Sequence, residues 1–199
     1  MKKTTNHAYA IDLLIVTRAL VNKVPNNAKV YLPEFADMIL RAMDFTNEQS
    51  TAELVNSITK LIRAMLIKYR NVAFYQDKEL LAIGTIEGRI TIYGLKQHQK
   101  LKVLEGHKTM PTALAFSKSG NRLASYSDSE KVLRVWQIMG GMLLFAGRIN
   151  KSIIINIDTH SKKIKVEDKE IKHPSIEFGI RKNQIRLYLP PQEAYEYTF

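Results

Sequence analysis

The chain has 199 residues, 45% of them hydrophobic, and a formal net charge of +11. That is enough apolar material for a packed core, and it argues against a disordered chain. The absence of cysteine excludes disulfides, thiolate metal sites and cysteine nucleophiles, and permits a cytosolic origin. His7, His98, His107, His160 and His173 show no metal-ligand spacing. No apolar run approaches the roughly 18 residues that a membrane-spanning helix needs. Lys2 and Lys3 imitate the start of a secretory signal, but His7, Asp12 and Arg18 interrupt what would be its apolar stretch, so a soluble chain is expected. Ten basic against six acidic side chains in residues 1 to 70, and 20 against 13 beyond, spread the positive charge along the chain. Such a balance suits an acidic partner, anionic lipid or nucleic acid. The densest cluster, Lys162, Lys163, Lys165, Lys169 and Lys172, is interleaved with Glu167, Asp168 and Glu170 and reads as a solvated face.

Helical signals come first, over residues 1 to 68. A first helix is expected over roughly Tyr9 to Val21, ending before Pro25. It is apolar on nearly all sides, so it should be packed between neighbours. A second begins near Pro33, whose fixed φ suits a first turn, and runs through Phe35, Met38, Ile39 and Met43. In a third, Leu54, Val55, Ile58, Leu61, Ile62 and Met65 follow the spacing that gathers apolar groups on one face. Thr46 with Gln49, or Thr51, offers its start. Three antiparallel helices suggest the end of a helical-repeat array or a small bundle.

From about Asn71 the apolar period changes to two. Val72 and Phe74, Leu81 and Ile83, and Ile90 and Ile92 mark short strands separated by turns such as Glu87-Gly88. The pattern recurs after about 40 residues as Thr112 to Phe116, Leu123 to Tyr126 and Val132 to Ile138, and this period is the sign of a repeat architecture. Beyond it, Met142 to Phe145, Ile153 to Ile157, Ile164 to Val166, Ile176 to Ile180 and Ile185 to Leu189 read as further strands. Pro190-Pro191 marks a turn before Tyr195, Tyr197 and Phe199, aromatics expected to pack rather than to form a recognition tail.

Gly106-His107, then Thr112-Ala-Leu-Ala-Phe-Ser117, Lys118-Ser-Gly120-Asn, Leu123-Ala-Ser-Tyr-Ser127 and Val132-Leu-Arg-Val-Trp136, closely resembles the WD40 repeat. The resemblance implies four-stranded blades, with His107, Ser125 and Trp136 on three positions of a buried hydrogen-bond network. Its fourth member, usually Asp, is ambiguous. Counting forward from Ser125 gives Ser129 and counting back from Trp136 gives Glu130. Asp128 lies nearby, because the turn is one residue longer than the pattern. The earlier repeat departs further, with Tyr93 in place of Trp. His107 is expected to be a satisfied core histidine rather than a catalytic one.

The fold class expected is α+β: a helical segment (1–68), then two to three WD40-type antiparallel β-propeller blades (69–106, 107–147 and a degenerate 148–199). Three blades leave open edges, so the rest of a propeller is expected from a longer parent or a partner chain.

A closer resemblance takes in the flanks. The helical segment leading into Ile83-Gly84-Thr-Ile-Glu-Gly-Arg-Ile-Thr-Ile-Tyr93, then Glu105 to Ser117, Leu123 to Ser127 and Trp136-Gln137, looks like the C-terminal region of the beta subunits of the rabconnectin-3 family. That resemblance implies a non-enzymatic scaffold in the assembly or regulation of the vacuolar-type proton ATPase. Its implied partners are a WD40-rich alpha subunit and pump subunits, and its implied location is cytoplasmic, peripheral on endosomal or secretory vesicle membranes. The rival readings are a scaffold of another WD40 assembly, such as a membrane coat or ubiquitin ligase, and, less well supported, an RNA-binding protein. No cofactor or metal is expected. No nucleophile has a base in motif context, and Gly140-Gly141 lacks the spacing of a phosphate loop.

Overall fold

The computed structural model describes residues 2–43, 51–138, 152–156, 162–164, 166, 171–179 and 183–199. Helix α1 (Lys2–Lys23) is followed at Pro25 by a short α2 (Pro25–Ala28) and a 3-10 turn (Lys29–Tyr31). Then come α3 (Leu32–Met43) and α4 (Thr51–Lys68). Pro25 sits where a first-turn residue needs no N–H partner, so it ends one helix and begins the next. The alternative α4 start at Thr46 and Gln49 lies outside the described residues.

Leu54, Ile58, Leu61, Ile62 and Met65 of α4 are buried as their spacing requires, whereas Val55 is 47% exposed. For α1 the expectation of packing on all sides is met on one face only. Ala10, Leu14, Thr17 and Val21 are buried, α1 packs along α4, and the Thr17 hydroxyl is donated back to the Leu13 carbonyl at 2.8 Å. A second apolar stripe, Tyr9, Leu13, Val16 and Leu20, remains exposed.

Three four-stranded antiparallel sheets follow. The first is a meander of β1 (Val72–Tyr75), β2 (Leu80–Gly84), β3 (Ile90–Gly94) and β4 (Gln99–Leu104). The second is β5 (Ala113–Phe116), β6 (Arg122–Ser127), β7 (Val132–Gln137) and β8 (Ser152–Asn156). Because Ser152–Asn156 pairs with Val132–Trp136, the second sheet reaches past the boundary expected at 147. The strand expected at Met142 to Phe145 lies outside the described residues. The third sheet comprises β9 (Lys162–Lys163), β10 (Ser175–Phe178), β11 (Gln184–Leu189) and β12 (Glu193–Thr198), in the order β10-β11-β12-β9. Its outer strand therefore precedes the other three in the chain, unlike the two meanders.

The edge strands β1, β5 and β10 are neighbours, so the sheets fan out from a common line. Strand alternation then settles which layers meet. One face of the first sheet, with Val72, Leu81, Ile83 and Tyr93, joins the helices in one core. Its other face, with Ala73, Leu80, Ala82, Ile90 and Ile92, packs on Leu123 and Trp136 of the second sheet. The opposite face of the second sheet, with Ala124, Tyr126, Leu133 and Val135, packs on Ile185, Leu187 and Tyr197 of the third. Phe199 lies under the Arg122 guanidinium, 5.0 Å from ring centre, so the terminal aromatics are packed in the fold.

The outer face of the third sheet is polar. Arg186 bonds Glu196 at 2.9 Å, and the Tyr188 hydroxyl donates to Glu177 at 3.2 Å. Helices occupy the far face of the first sheet. Tyr197→Ala should remove the side chain that ties the third sheet to the second. A loss of about 3–5 kcal/mol in one cooperative urea transition is expected. A separate early transition that spares the rest would show instead that the third sheet folds independently.

Candidate functional site

The sequence singled out a constellation in the second sheet. β6 and β7 pair with Leu123 opposite Trp136 and Ser125 opposite Arg134, so Ser125 and Trp136 share the face turned to the first sheet. Trp136 is 1% exposed and Ser125 is fully buried. An indole N–H can only donate, and here it donates to Ser125 Oγ at 2.7 Å. His107 enters from the strand connection above, with Nε2 2.8 Å from the same Oγ. Gly106 makes this possible, since a Cβ there would come within 2.9 Å of the Trp136 ring.

Glu130 lies on the far side of the imidazole, with Oε1 3.4 Å from His107 Nδ1. This contact is electrostatic, because the ring nitrogen makes no geometric hydrogen bond there. The same Oε1 accepts the backbone N–H groups of Lys108 and Thr109, at 2.9 Å each, and the Thr109 hydroxyl at 3.0 Å. The tautomer that suits both neighbours carries its proton on Nδ1. The network then runs in one direction: Trp136 N–H to Ser125, Ser125 O–H to His107, His107 N–H toward Glu130.

Of the carboxylates left open by the sequence, Glu130 is the one brought to His107. Asp128 faces the other way, accepting from the Tyr126 hydroxyl at 3.1 Å and from Lys131 at 2.9 Å. The long turn explains the ambiguity: β6 closes on β7 with Ser127 opposite Val132, and Lys131 takes a left-handed φ of 53° to complete it. The first sheet has no such network. Its register sets Leu81 opposite Tyr93 as Leu123 is set opposite Trp136, which puts Ile83 in the place of Ser125.

Burial, helped by the Arg134 guanidinium, holds the His107 ring below its ordinary value against the opposing pull of Glu130. Burial pushes the Glu130 carboxyl upward, but the Thr109 and Lys108 donors and the imidazole outweigh it, leaving the group below its usual range. Ser125, His107 and Glu130 have the order of a hydrolytic triad without its chemistry. The serine oxygen is sealed from solvent and already accepts the indole proton, so no substrate atom can reach it. Among the described residues, no group of three or more His, Asp or Glu is placed to hold a metal ion.

Two outcomes follow from this geometry. Ser125→Ala leaves a buried indole N–H and imidazole nitrogen unpaired and should cost about 2–3 kcal/mol by urea unfolding, while Asp128→Ala, on an exposed pair, should cost less than about 1 kcal/mol. Equal losses would mean that the bonds do not hold the sheet. The depressed His107 value also fixes the sign of a pH effect. The unfolded chain takes up the proton first, so the stability this residue contributes is complete above about pH 6.5 and is lost as pH falls below it. His107→Gln should flatten that slope, and a wild-type midpoint that holds or rises on acidification to about pH 5.5 would contradict the assignment.

Comparison with known proteins agrees with this reading at the level of the repeat. The chain is 36% identical to a WD repeat-containing protein (SL1-17) of Schistosoma mansoni over 73 residues, 37% of this chain and 24% of that one. It is 34% identical to WD repeat and SOCS box-containing protein 1 of Mus musculus over 79 residues, 40% of this chain and 19% of the relative. Protein TOPLESS-RELATED PROTEIN 2 of Oryza sativa subsp. japonica is 39% identical over 70 residues, 35% of this chain and 6% of that protein. The chain thus spans a quarter or less of the curated relatives it matches. No family model matches it. Among solved structures, the β-propeller domain of Cps50 (Swd1) from Myceliophteria thermophila aligns with a TM-score of 0.46 at 17% identity, over 66% of this chain and 38% of that domain. The computationally designed Ika8 protein aligns with a TM-score of 0.40 at 21% identity, over 63% of this chain and 31% of the design. The sequence matches are to WD-repeat proteins over 70 to 79 residues, and with the meander sheets and the GH-to-Trp136 spacing they agree with sheets built as WD40-type blades.

Proposed function

We propose that the chain is a non-enzymatic scaffold that docks other protein subunits, with its helical segment as the docking element. The observation that carries this reading is the exposed stripe of α1. Tyr9 is 69% exposed, Leu13 37%, Val16 56% and Leu20 45%, on the spacing i, i+4, i+7, i+11. The buried face of the same helix uses the same spacing, in Ala10, Leu14, Thr17 and Val21, against α4. A partner helix continuing that packing is the occupant whose geometry matches, since a row of apolar side chains at these intervals fits between the ridges of another helix.

The proposed setting is the one the rabconnectin-3 resemblance implies, assembly or regulation of the vacuolar-type proton ATPase through protein contacts. The blades contribute a rigid body and the basic surface an attraction for acidic partners. No helix among the described residues is long and apolar enough to cross a membrane. One of the matched relatives is by name a WD repeat and SOCS box-containing protein, which keeps a scaffold of another WD40 assembly as the second reading.

Affinity purification of the chain from native cells, followed by mass spectrometry, should recover pump subunits and a WD40-rich partner. A double Leu13→Asp, Val16→Asp variant should lose them with no fall in thermal midpoint, because both side chains are exposed. Recovery of ribonucleoprotein would favour RNA binding. Recovery of coat or ligase components would favour the second scaffold reading, and capture unaffected by the variant would remove α1 as the docking face.

A further inference from the structure

The exposed stripe of α1 is flanked by two opposite charges. Val24, 44% exposed, continues the stripe, because its N–H is still bonded to the Leu20 carbonyl at 2.9 Å. Tyr9, Leu13, Val16, Leu20 and Val24 therefore form one apolar line along the helix. Successive residues turn by about 100°, which puts Asp12 and Lys23 on one and the same flank of that line. Ala10, Leu14, Thr17 and Val21, the face packed on α4, lie on the other flank. Asp12 and Lys23 are both exposed, and among the described residues neither makes an ion pair.

Asp12 stands toward the N-terminal end of the apolar line and Lys23 toward its C-terminal end. A helix related to α1 by a two-fold axis across the stripe runs antiparallel, and it presents the same flank on the same side. Its Lys23 then falls beside Asp12, and its Asp12 beside Lys23. The midpoint between the two charged residues lies within about one residue, roughly 1.5 Å, of the midpoint of Tyr9 to Val24. A register that stacks the apolar line on itself therefore also pairs the charges. The face on α4 is on the opposite flank, so α4 does not stand between them. A helix of another protein would need a matching order of charges of its own, whereas a copy has it by symmetry.

We infer that the helix on this stripe is α1 of a second copy, paired antiparallel about a two-fold axis, with Asp12 of each copy against Lys23 of the other. The inference rests on the reading of α1 as the docking face and names its occupant. The scaffold is then a pair of chains that offers two sets of blades to other subunits. One line of apolar side chains is smaller than the interface of an obligate dimer, and each copy carries a net charge of +11. The pair is therefore concentration-dependent, with an affinity in the micromolar range.

Sedimentation velocity of the full chain up to about 200 μM reads the equilibrium, at about 0.15 M salt so that the net charge is screened. A shift from monomer to dimer with rising concentration is expected. The Leu13→Asp, Val16→Asp variant should abolish it with an unchanged thermal midpoint. Asp12→Lys alone, or Lys23→Asp alone, sets like charges together at both contacts and should weaken the dimer by about tenfold. The two swaps combined restore opposite charges and should return the affinity to within about threefold of wild type. That rescue belongs to antiparallel copies, because a parallel pair would set Asp12 against Asp12. A chain that stays monomeric throughout, a dimer that survives Leu13→Asp, Val16→Asp, or a double swap no better than the single ones overturns the inference. A monomeric chain whose captured subunits are still lost in Leu13→Asp, Val16→Asp gives α1 to another protein's helix, so the inference falls and α1 remains the docking face. Loss of the dimer in that variant with capture unchanged supports the pair and removes other proteins from α1.

Discussion

One indole decides how this molecule is assembled. Trp136 is the largest fully buried side chain, and it lies in the seam between the first and second sheets. Burying an indole there supplies much apolar contact, but its N–H goes in with it and must find an acceptor. Ser125, across the β6–β7 ladder and on the same face, is that acceptor. The serine then needs somewhere to send its own proton, which His107 provides, and the imidazole in turn needs Glu130. Each residue in the series is required by the one before it. The last of them also ties down the loop after His107 by accepting two of its backbone N–H groups. A loop that would otherwise be free to move is thereby joined to the strand pair, and the orientation of the first sheet on the second follows.

From that seam the fold extends in two directions with different endings. Toward the N-terminus the first sheet turns its other face to α3 and α4; the Lys100–Asp37 ion pair at 2.9 Å joins α3 to β4 at the rim, and the Tyr69 hydroxyl, just after α4, donates to the Pro25 carbonyl of α2 at 3.1 Å. Toward the C-terminus Tyr126, Leu133 and Tyr197 join the second sheet to the third, whose outward side is charged. Among the described residues the layers between the sheets are buried, while large apolar side chains are exposed both on α1, at Tyr9, Leu13, Ile15, Val16 and Leu20, and on the blades, at Ile86, Val103, Ile153 and Ile154.

Much of this could be read from residues alone. Gly106-His107, Ser125 and Trp136 fall at fixed intervals because the strand lengths and the tight turns between them are fixed, so counting along the chain locates a spatial cluster. Counting fails where the turn changes length. With Lys131 in a left-handed conformation, one extra residue enters between β6 and β7, and no arithmetic on the sequence separates Glu130 from Asp128. The position of β9 was illegible for another reason: two residues, Lys162–Lys163, carry too little pattern to announce that they pair with β12. On α1, hydropathy shows how many apolar residues there are but cannot show how many neighbours cover them.

Trp136, Ser125 and His107 form a closed, structural hydrogen-bond series on which the seating of the first sheet on the second depends. There is one tryptophan in the chain, so its indole proton gives a single resolved signal. Hydrogen exchange at Trp136 Nε1, followed by NMR in heavy water, tests the claim most directly. The account predicts exchange only through global unfolding, with a protection factor matching the slowest backbone amides of β6 and β7 and falling with them in mild denaturant. Exchange orders of magnitude faster than those amides, insensitive to denaturant, would mean that the indole reaches water through local fluctuations and that the series does not hold the two sheets together.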